Sequence, residues 1–278
     1  MDVEAYLRRI EYRGFPDIER PSVDLLRALH RAHLFTVPFE NLDIPLGRNI
    51  ICDEGRILHK IVNKHRGGFC YELNGAFAAL LRAVGFKVTL LSGRVAAPDK
   101  IGPEFDHLTL RVDLEEPWLA DVGFGDCFVE PLRLQLHIEQ PQNGRVYRLQ
   151  SSSELHPGSS TASDAVVSLQ VMADGKWKTE YALTLRPREL ADFASMCHYH
   201  QTSPESHFTR QRICSMAAPD GRITLADDKL IETRGGMRKE RMIANEEEWR
   251  AQLSAKFGIL LPEPLPKRFF AESRHRLD

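Results

Sequence analysis

The chain has 278 residues, 42% of them hydrophobic, and a formal net charge of −2. That length suits one large domain or two to three small ones, and that balance gives no broad attraction for nucleic acid or an anionic membrane. No apolar run approaches a membrane span, and the stretch from Met1 to Tyr6 shows no basic region followed by an apolar one.

Cysteines stand at 52, 70, 127, 197 and 214, odd in number and widely spaced. The expectation is reduced thiols in a cytoplasmic protein. In chain order, Pro21-Ser22-Val23 opens a helix through Leu25, Leu26, Leu29 and His33. Ile57, Leu58, Ile61 and Val62 form another short apolar stripe. Then Arg66-Gly67-Gly68-Phe69-Cys70-Tyr71-Glu72-Leu73-Asn74 sets one cysteine between a Gly-Gly turn and a helix. Leu73, Ala76, Phe77, Leu80, Leu81 and Val84 recur there at three- and four-residue steps, and Gly85 stands at the C-terminal cap. Cys70 therefore lies at a helix N-terminus, where unpaired N–H groups and the macrodipole favour the thiolate.

From about residue 86 the pattern changes to strands. Val88-Thr89-Leu90-Leu91 is one. His107 to Asp113 alternates as a half-buried strand, with Leu108, Leu110 and Val112 on one face and His107, Thr109 and Arg111 on the other. Glu115-Glu116-Pro117 turns the chain into a second strand, Trp118 to Val122, which carries Asp121. A register that puts His107 and Asp121 on one face makes them direct or diagonal neighbours. Periodicity alone leaves that register open. Gly123-Phe124-Gly125 follows and permits a sharp turn or the close approach of a ligand. Ser151-Ser152-Ser153 and Ser159-Ser160-Thr161 mark loops. Val166 to Met172 and Trp177 to Leu185 flank the hairpin turn Asp174-Gly175. Beyond 191, Pro219-Asp220-Gly221 turns between two short strands, and Asn245 to Glu248 starts a helix with a capping-box pattern that Gly258 ends.

Cys70, His107 and Asp121 have the types and order of a nucleophile, a base and an orienting group. RGGxCxExN around Cys70, DHL at His107 and DVGFG from Asp121 resemble the arylamine N-acetyltransferase family. Pro38-Phe39-Glu40-Asn41-Leu42 matches its PFENL segment, and Ser203-Pro204 with Phe208 resembles its SPxSxF segment. The resemblance implies an α+β fold with a cysteine-protease-like Cys-His-Asp core. It divides the chain into a helical bundle (1–85), a β-barrel (86–190) and an α/β lid (191–278). It also implies ping-pong transfer of acetyl from acetyl-CoA, a cosubstrate rather than a bound cofactor, to an arylamine, hydrazine or arylhydroxylamine. Such a role belongs to xenobiotic metabolism. Rival readings are an amide synthase using a carrier-bound acyl chain, a transglutaminase- or peptidase-like cysteine enzyme, and a CoA- or aromatic-binding module with a decayed site.

Phe39, Phe69, Val95 and Phe124 are expected to line the pocket, and Asn74, Phe124 and Gly125 resemble family positions at the CoA or acceptor site. Glu40, Asn41 and Arg66 are given structural roles, with Arg66 pairing Glu40 to tie down the nucleophile loop. Arg94 is a candidate selector of an anionic group. Lys100, in a loop before His107, is a solvated lysine or a contact for a CoA phosphate. Cys52, Cys127, Cys197 and Cys214 read as small hydrophobes. Cys197-His198-Tyr199-His200, with His207, reads as a polar loop rather than a metal site, so no metal is expected. The tail from Pro262 to Phe270 either folds back as part of the lid or contacts a second copy in a homo-oligomer.

Overall fold

The computed structural model describes residues 1–14, 20–98, 100–151 and 166–262. The serine-rich stretches from 152 to 161 and the tail beyond Pro262 lie outside the described residues. Helices are α1 (Val3–Arg9), α2 (Val23–Thr36), α3 (Glu54–Leu58), α4 (Cys70–Ala83), α5 (Ala194–Thr202), α6 (His207–Arg210) and α7 (Glu246–Phe257). Strands are β1 (Phe39–Glu40), β2 (Lys87–Ala97), β3 (Lys100–Ile101), β4 (His107–Asp113), β5 (Pro117–Ala120), β6 (Leu132–Arg133) and β7 (Gln140–Gln142). They continue with β8 (Arg145–Ser151), β9 (Val166–Ala173), β10 (Lys176–Thr184), β11 (Ile213–Ala218), β12 (Gly221–Ala226), β13 (Lys229–Arg234) and β14 (Met237–Met242).

The helices start and stop where local chemistry satisfies their ends. Ser22 Oγ accepts from Leu25 N at 3.2 Å and so caps α2. Glu72 Oε2 accepts from Phe69 N at 3.2 Å across the first turn of α4. In α7, Asn245 Oδ1 accepts from Glu248 N, and Glu248 Oε2 accepts from Ala244 N, one residue further back than a capping box reaches. Gly258 then takes a left-handed φ of 67° at the C-cap.

The larger sheet runs β6-β5-β4-β2-β10-β9-β8-β7, with β3 paired to β2 outside that path. Its two ends meet through glutamine side chains, which nearly close an eight-stranded barrel. Gln140 bonds Arg133 N at 2.8 Å and Arg133 O at 3.1 Å. Gln142 bonds the backbone of Val129 and Glu130 in the same way. These amides satisfy edge groups that a sheet otherwise leaves to solvent. Leu91, Leu119, Phe128, Leu149 and Leu169 fill the interior.

A second sheet has the order β1-β11-β12-β13-β14, and α7 covers one face of it. Its first strand comes from ahead of the nucleophile: Phe39 pairs with Ser215, and Phe39 also bridges to Gly68. Asn41 adds side-chain bonds to Phe208 O, Gln211 O and Ile213 N. The loop that carries Cys70 is thus stitched to the C-terminal sheet.

Helix α4 is the hub. Its residues 70 to 81 are all buried, and Leu73, Phe77 and Leu80 share a cluster with Leu108, Leu110 and Val112 of β4. Each such side chain stabilises the fold by roughly 1.5–3 kcal/mol on transfer from water. Strand β4 departs from the half-buried reading. Its opposite face is covered too: Thr109 is fully buried, and both His107 and Thr109 meet Tyr181 of the barrel cluster.

Candidate active site

Three elements converge on one point. Cys70 is the first residue of α4, His107 the first of β4, and Asp121 directly follows β5. Strands β4 and β5 pair with Leu110 opposite Ala120. Continuing that register sets Thr109 opposite Asp121, which makes His107 its diagonal neighbour. His107 Nε2 lies 2.6 Å from Asp121 Oδ2, and His107 shares the wall of one cavity with Cys70. With Nε2 committed to Asp121, Nδ1 is the ring nitrogen left for Cys70. All three side chains are buried, at 4%, 2% and 1% exposure respectively.

Asp121 is held by four donors: His107 Nε2, Tyr181 OH at 2.9 Å, Asn74 Nδ2 at 2.9 Å and Gly123 N at 2.9 Å. Its own N–H donates to His30 Nε2 at 3.1 Å, and His30 Nδ1 lies 2.7 Å from Val129 O. That pair of partners fixes His30 as a neutral tautomer, and burial pushes it down to about 4. Burial alone disfavours an imidazolium at 107. The Asp121 charge and hydrogen bond, then Cys70, outweigh it and hold His107 at about 10. Burial opposes the Asp121 charge as well. His107, with the hydrogen bonds from Asn74 and Gly123, holds that carboxyl below its ordinary range.

Close approach requires glycine at two points here. A Cβ on Gly67 would fall 1.9 Å from Pro38 O, and one on Gly123 would fall 2.8 Å from Cys70 Cα. Beneath the nucleophile loop lies a buried ion cluster. Arg66 Nε donates to Glu40 Oε1 at 2.9 Å, and Arg66 Nη2 lies 3.1 Å from Asp43. Lys60 Nζ sits 2.7 Å from both Asp43 and Glu72. Burial, together with the charges of Glu40 and Asp43, raises Glu72 to about 7 against the pull of Lys60.

Cys70 and His107 open onto a cavity of about 910 Å³. Phe39, Val95, Phe124 and Gly125 line it, as does Lys100. Phe69 and Asn74 do not: both are fully buried, and Asn74 spends its amide on Leu108 O, Asp121 and Val122 N. Lys100 lies in the short strand β3 rather than in a loop. Arg94 is turned away, because alternation along β2 sends Val95 into the cavity and Arg94 to the other face, beside Ser92 and Glu104. The arginines that do reach the cavity, Arg222 and Arg238, come from the far sheet.

The segment Cys197–His200 is part of α5, not a polar loop at an edge. Cys197 and His200 are buried, and His200 Nε2 lies 3.1 Å from Asp106 Oδ1. Among the described residues no cluster of His, Cys, Asp or Glu is arranged to hold a metal ion. Cys197 is pushed up by its hydrogen bond with Cys52 and by burial, and Cys214 by burial. Sequence reasoning missed His30 and Tyr181. Each sits within an apolar stripe or strand, and nothing in local spacing signals a partner 91 or 60 residues away.

A family model described as N-acetyltransferase matches residues 22–265. The pineal gland isozyme NAT-3 arylamine N-acetyltransferase of Gallus gallus is 32% identical over 282 residues, covering 94% of this chain and 95% of that one. The solved arylamine N-acetyltransferase of Salmonella typhimurium superposes with a TM-score of 0.84 at 31% identity, over 97% of this chain and 96% of that one. The Mycobacterium marinum enzyme in complex with CoA gives 0.82 at 30% identity, with 93% of each chain covered.

Proposed function

Since the chain belongs to the arylamine N-acetyltransferase family, we propose that Cys70 carries acetyl from acetyl-CoA to the nitrogen of an arylamine, hydrazine or arylhydroxylamine. The observation that carries this reading is the buried His107–Asp121 pair at 2.6 Å, set with Cys70 at the wall of one cavity.

In this reading Cys70 sulfur reacts as the anion, with the protonated His107 as its ion-pair partner. That sulfur attacks the thioester carbonyl, a tetrahedral intermediate forms, and the C–S bond to CoA breaks. His107 gives its proton to the departing CoA thiolate and becomes a base. The acceptor nitrogen then attacks acetyl-Cys70, His107 takes its proton, and the Cys70 thiolate leaves. Asp121 keeps the ring oriented and stabilises its charged form without itself taking a proton. The first N–H groups of α4 have no acceptor within the helix, so the Cys70 N–H is a donor for the oxyanion of both intermediates.

Phe39 and Phe124 offer apolar walls to an aryl ring, while Arg222, Arg238 and Lys100 offer cations to the phosphates of the donor. In this reading 1–85 supplies the nucleophile, 86–190 the base and orienter, and 191–278 the lid. A cytoplasmic location suits the chemistry, because Cys70 works only as a free thiol. Among the described residues no helix is long and apolar enough to cross a membrane.

The test is CoA release from acetyl-CoA with a simple arylamine or hydrazide, beside Cys70→Ala, with intact mass spectrometry. Expected are acceptor-dependent release and an acetyl adduct without acceptor, both lost in the variant. Wild-type protein that forms no adduct and releases no CoA refutes the reading.

A further inference from the structure

Phe105, two residues ahead of His107, has a φ of +66°. A bulky aromatic residue rarely adopts this left-handed conformation, and strain of this kind persists only where its surroundings over-determine it. The surroundings do so from several sides. Phe105 N donates to Ser92 Oγ of β2 at 2.8 Å. Phe105 O accepts from Tyr71 OH at 2.7 Å. The ring is covered by the Arg188 guanidinium at 4.9 Å and meets Phe193 edge-on at 5.3 Å. The two backbone groups of the strained residue are thus held by side chains from separate parts of the fold.

One of those side chains belongs to the residue next to the nucleophile. Tyr71 follows Cys70 in the first turn of α4, is fully buried, and packs on Phe69 and Phe193. Its hydroxyl reaches Phe105 O and lies 3.4 Å from Asp106 O, the carbonyl just before His107. From the deposition of charge alone, Cys70 and His107 attract each other. Attraction does not set their separation, which depends on how a helix N-terminus and a strand N-terminus are fixed relative to one another. Asn74 fixes β4 one helical turn further on, through Leu108 O at 2.6 Å. Tyr71 fixes the turn that leads into it.

We propose that Tyr71 is a positioning residue for the nucleophile–base pair: its hydroxyl clamps the strained turn at Phe105 to the start of α4 and so sets the Cys70–His107 contact. The proposal rests on the acetyl-Cys70 reading given above. Burial pushes the Tyr71 phenol up, so it remains a donor throughout the working pH range. The hydroxyl touches no reacting atom. It acts through the backbone of Phe105 and Asp106.

Tyr71→Phe keeps the ring and its packing and removes only the hydroxyl. Ser92→Ala frees the other backbone group of Phe105 without touching α4. Both are read by the pH profile of iodoacetamide alkylation of the Cys70 peptide, followed by mass spectrometry, with the melting midpoint as a control. Wild-type Cys70 is expected to alkylate far faster at pH 6 than a free thiol. Tyr71→Phe is expected to slow that rate about tenfold and to move the midpoint of the profile up by about one pH unit. Ser92→Ala should shift it the same way. A role limited to stability would lower the melting midpoint and leave the profile in place. If both variants superimpose on the wild-type profile, the clamp is wrong and the triad reading stands. If wild-type Cys70 reacts no faster than a free thiol, the triad reading fails and the clamp falls with it.

Discussion

Asp121→Asn removes the charge behind His107 while nearly preserving shape. In the structure both carboxylate oxygens face donors only: Oδ1 meets Asn74 Nδ2 and Gly123 N, and Oδ2 meets His107 Nε2 and Tyr181 OH. An amide must place its NH₂ against one of these pairs. If it faces His107, the ring has to accept at Nε2 and carry its proton at Nδ1, which leaves no lone pair for Cys70. Without Asp121, burial is left as the main influence, so His107 drops from about 10 to its ordinary value near 6.5 or below. That change of at least about 3 units corresponds to roughly 4–5 kcal/mol, or a factor of 10³–10⁴. kcat/KM for acetyl-CoA should fall by about that factor. Stopped-flow CoA release and alkylation of Cys70 between pH 5 and 10 measure it. A variant within threefold of wild type in both assays would refute the claim that Asp121 holds the proton on His107.

Other substitutions test the surrounding architecture. Because the folded state raises His107 to about 10, its stabilising contribution is complete below pH of about 6.5 and is lost as pH rises toward 10. The melting midpoint of wild type should therefore fall relative to His107→Gln across that window, and a constant difference contradicts the linkage. Glu72 prefers its neutral form up to about pH 7, so Glu72→Gln should melt within a few degrees of wild type at pH 6, and wild type should lose ground to the variant as pH rises past 7. Arg66→Ala strips Glu40 and Asp43 of a buried guanidinium and should cost about 3–5 kcal/mol in denaturant unfolding. Gly123→Ala puts a methyl 2.7 Å from Asn74 Nδ2 and 2.8 Å from Cys70 Cα. Displacement on that scale should lower kcat by about 100-fold with a folded circular dichroism spectrum, and a fully active variant would show that the backbone yields there.

The elements of the fold were legible where local rules govern. The apolar stripe from Leu73 to Val84 and the Gly-Gly turn before it located α4, alternation located β4, and the Asp174-Gly175 turn located β9 and β10. Residue types and order also made Cys70, His107 and Asp121 candidates, and the motif order named the family. Their meeting was not legible, because a strand's periodicity says which residues share a face but not which partner they oppose. Tertiary structure set the β4–β5 register that brings His107 and Asp121 together. It also covered the second face of β4, sent Arg94 out of the cavity and brought Arg222 into it. His30 and Tyr181 reached Asp121 from α2 and β10 for the same reason. Short-range pattern is written in neighbouring residues, whereas the support of a buried charge is supplied by whichever distant side chains the nearly closed barrel and packed helices bring within about 3 Å of it.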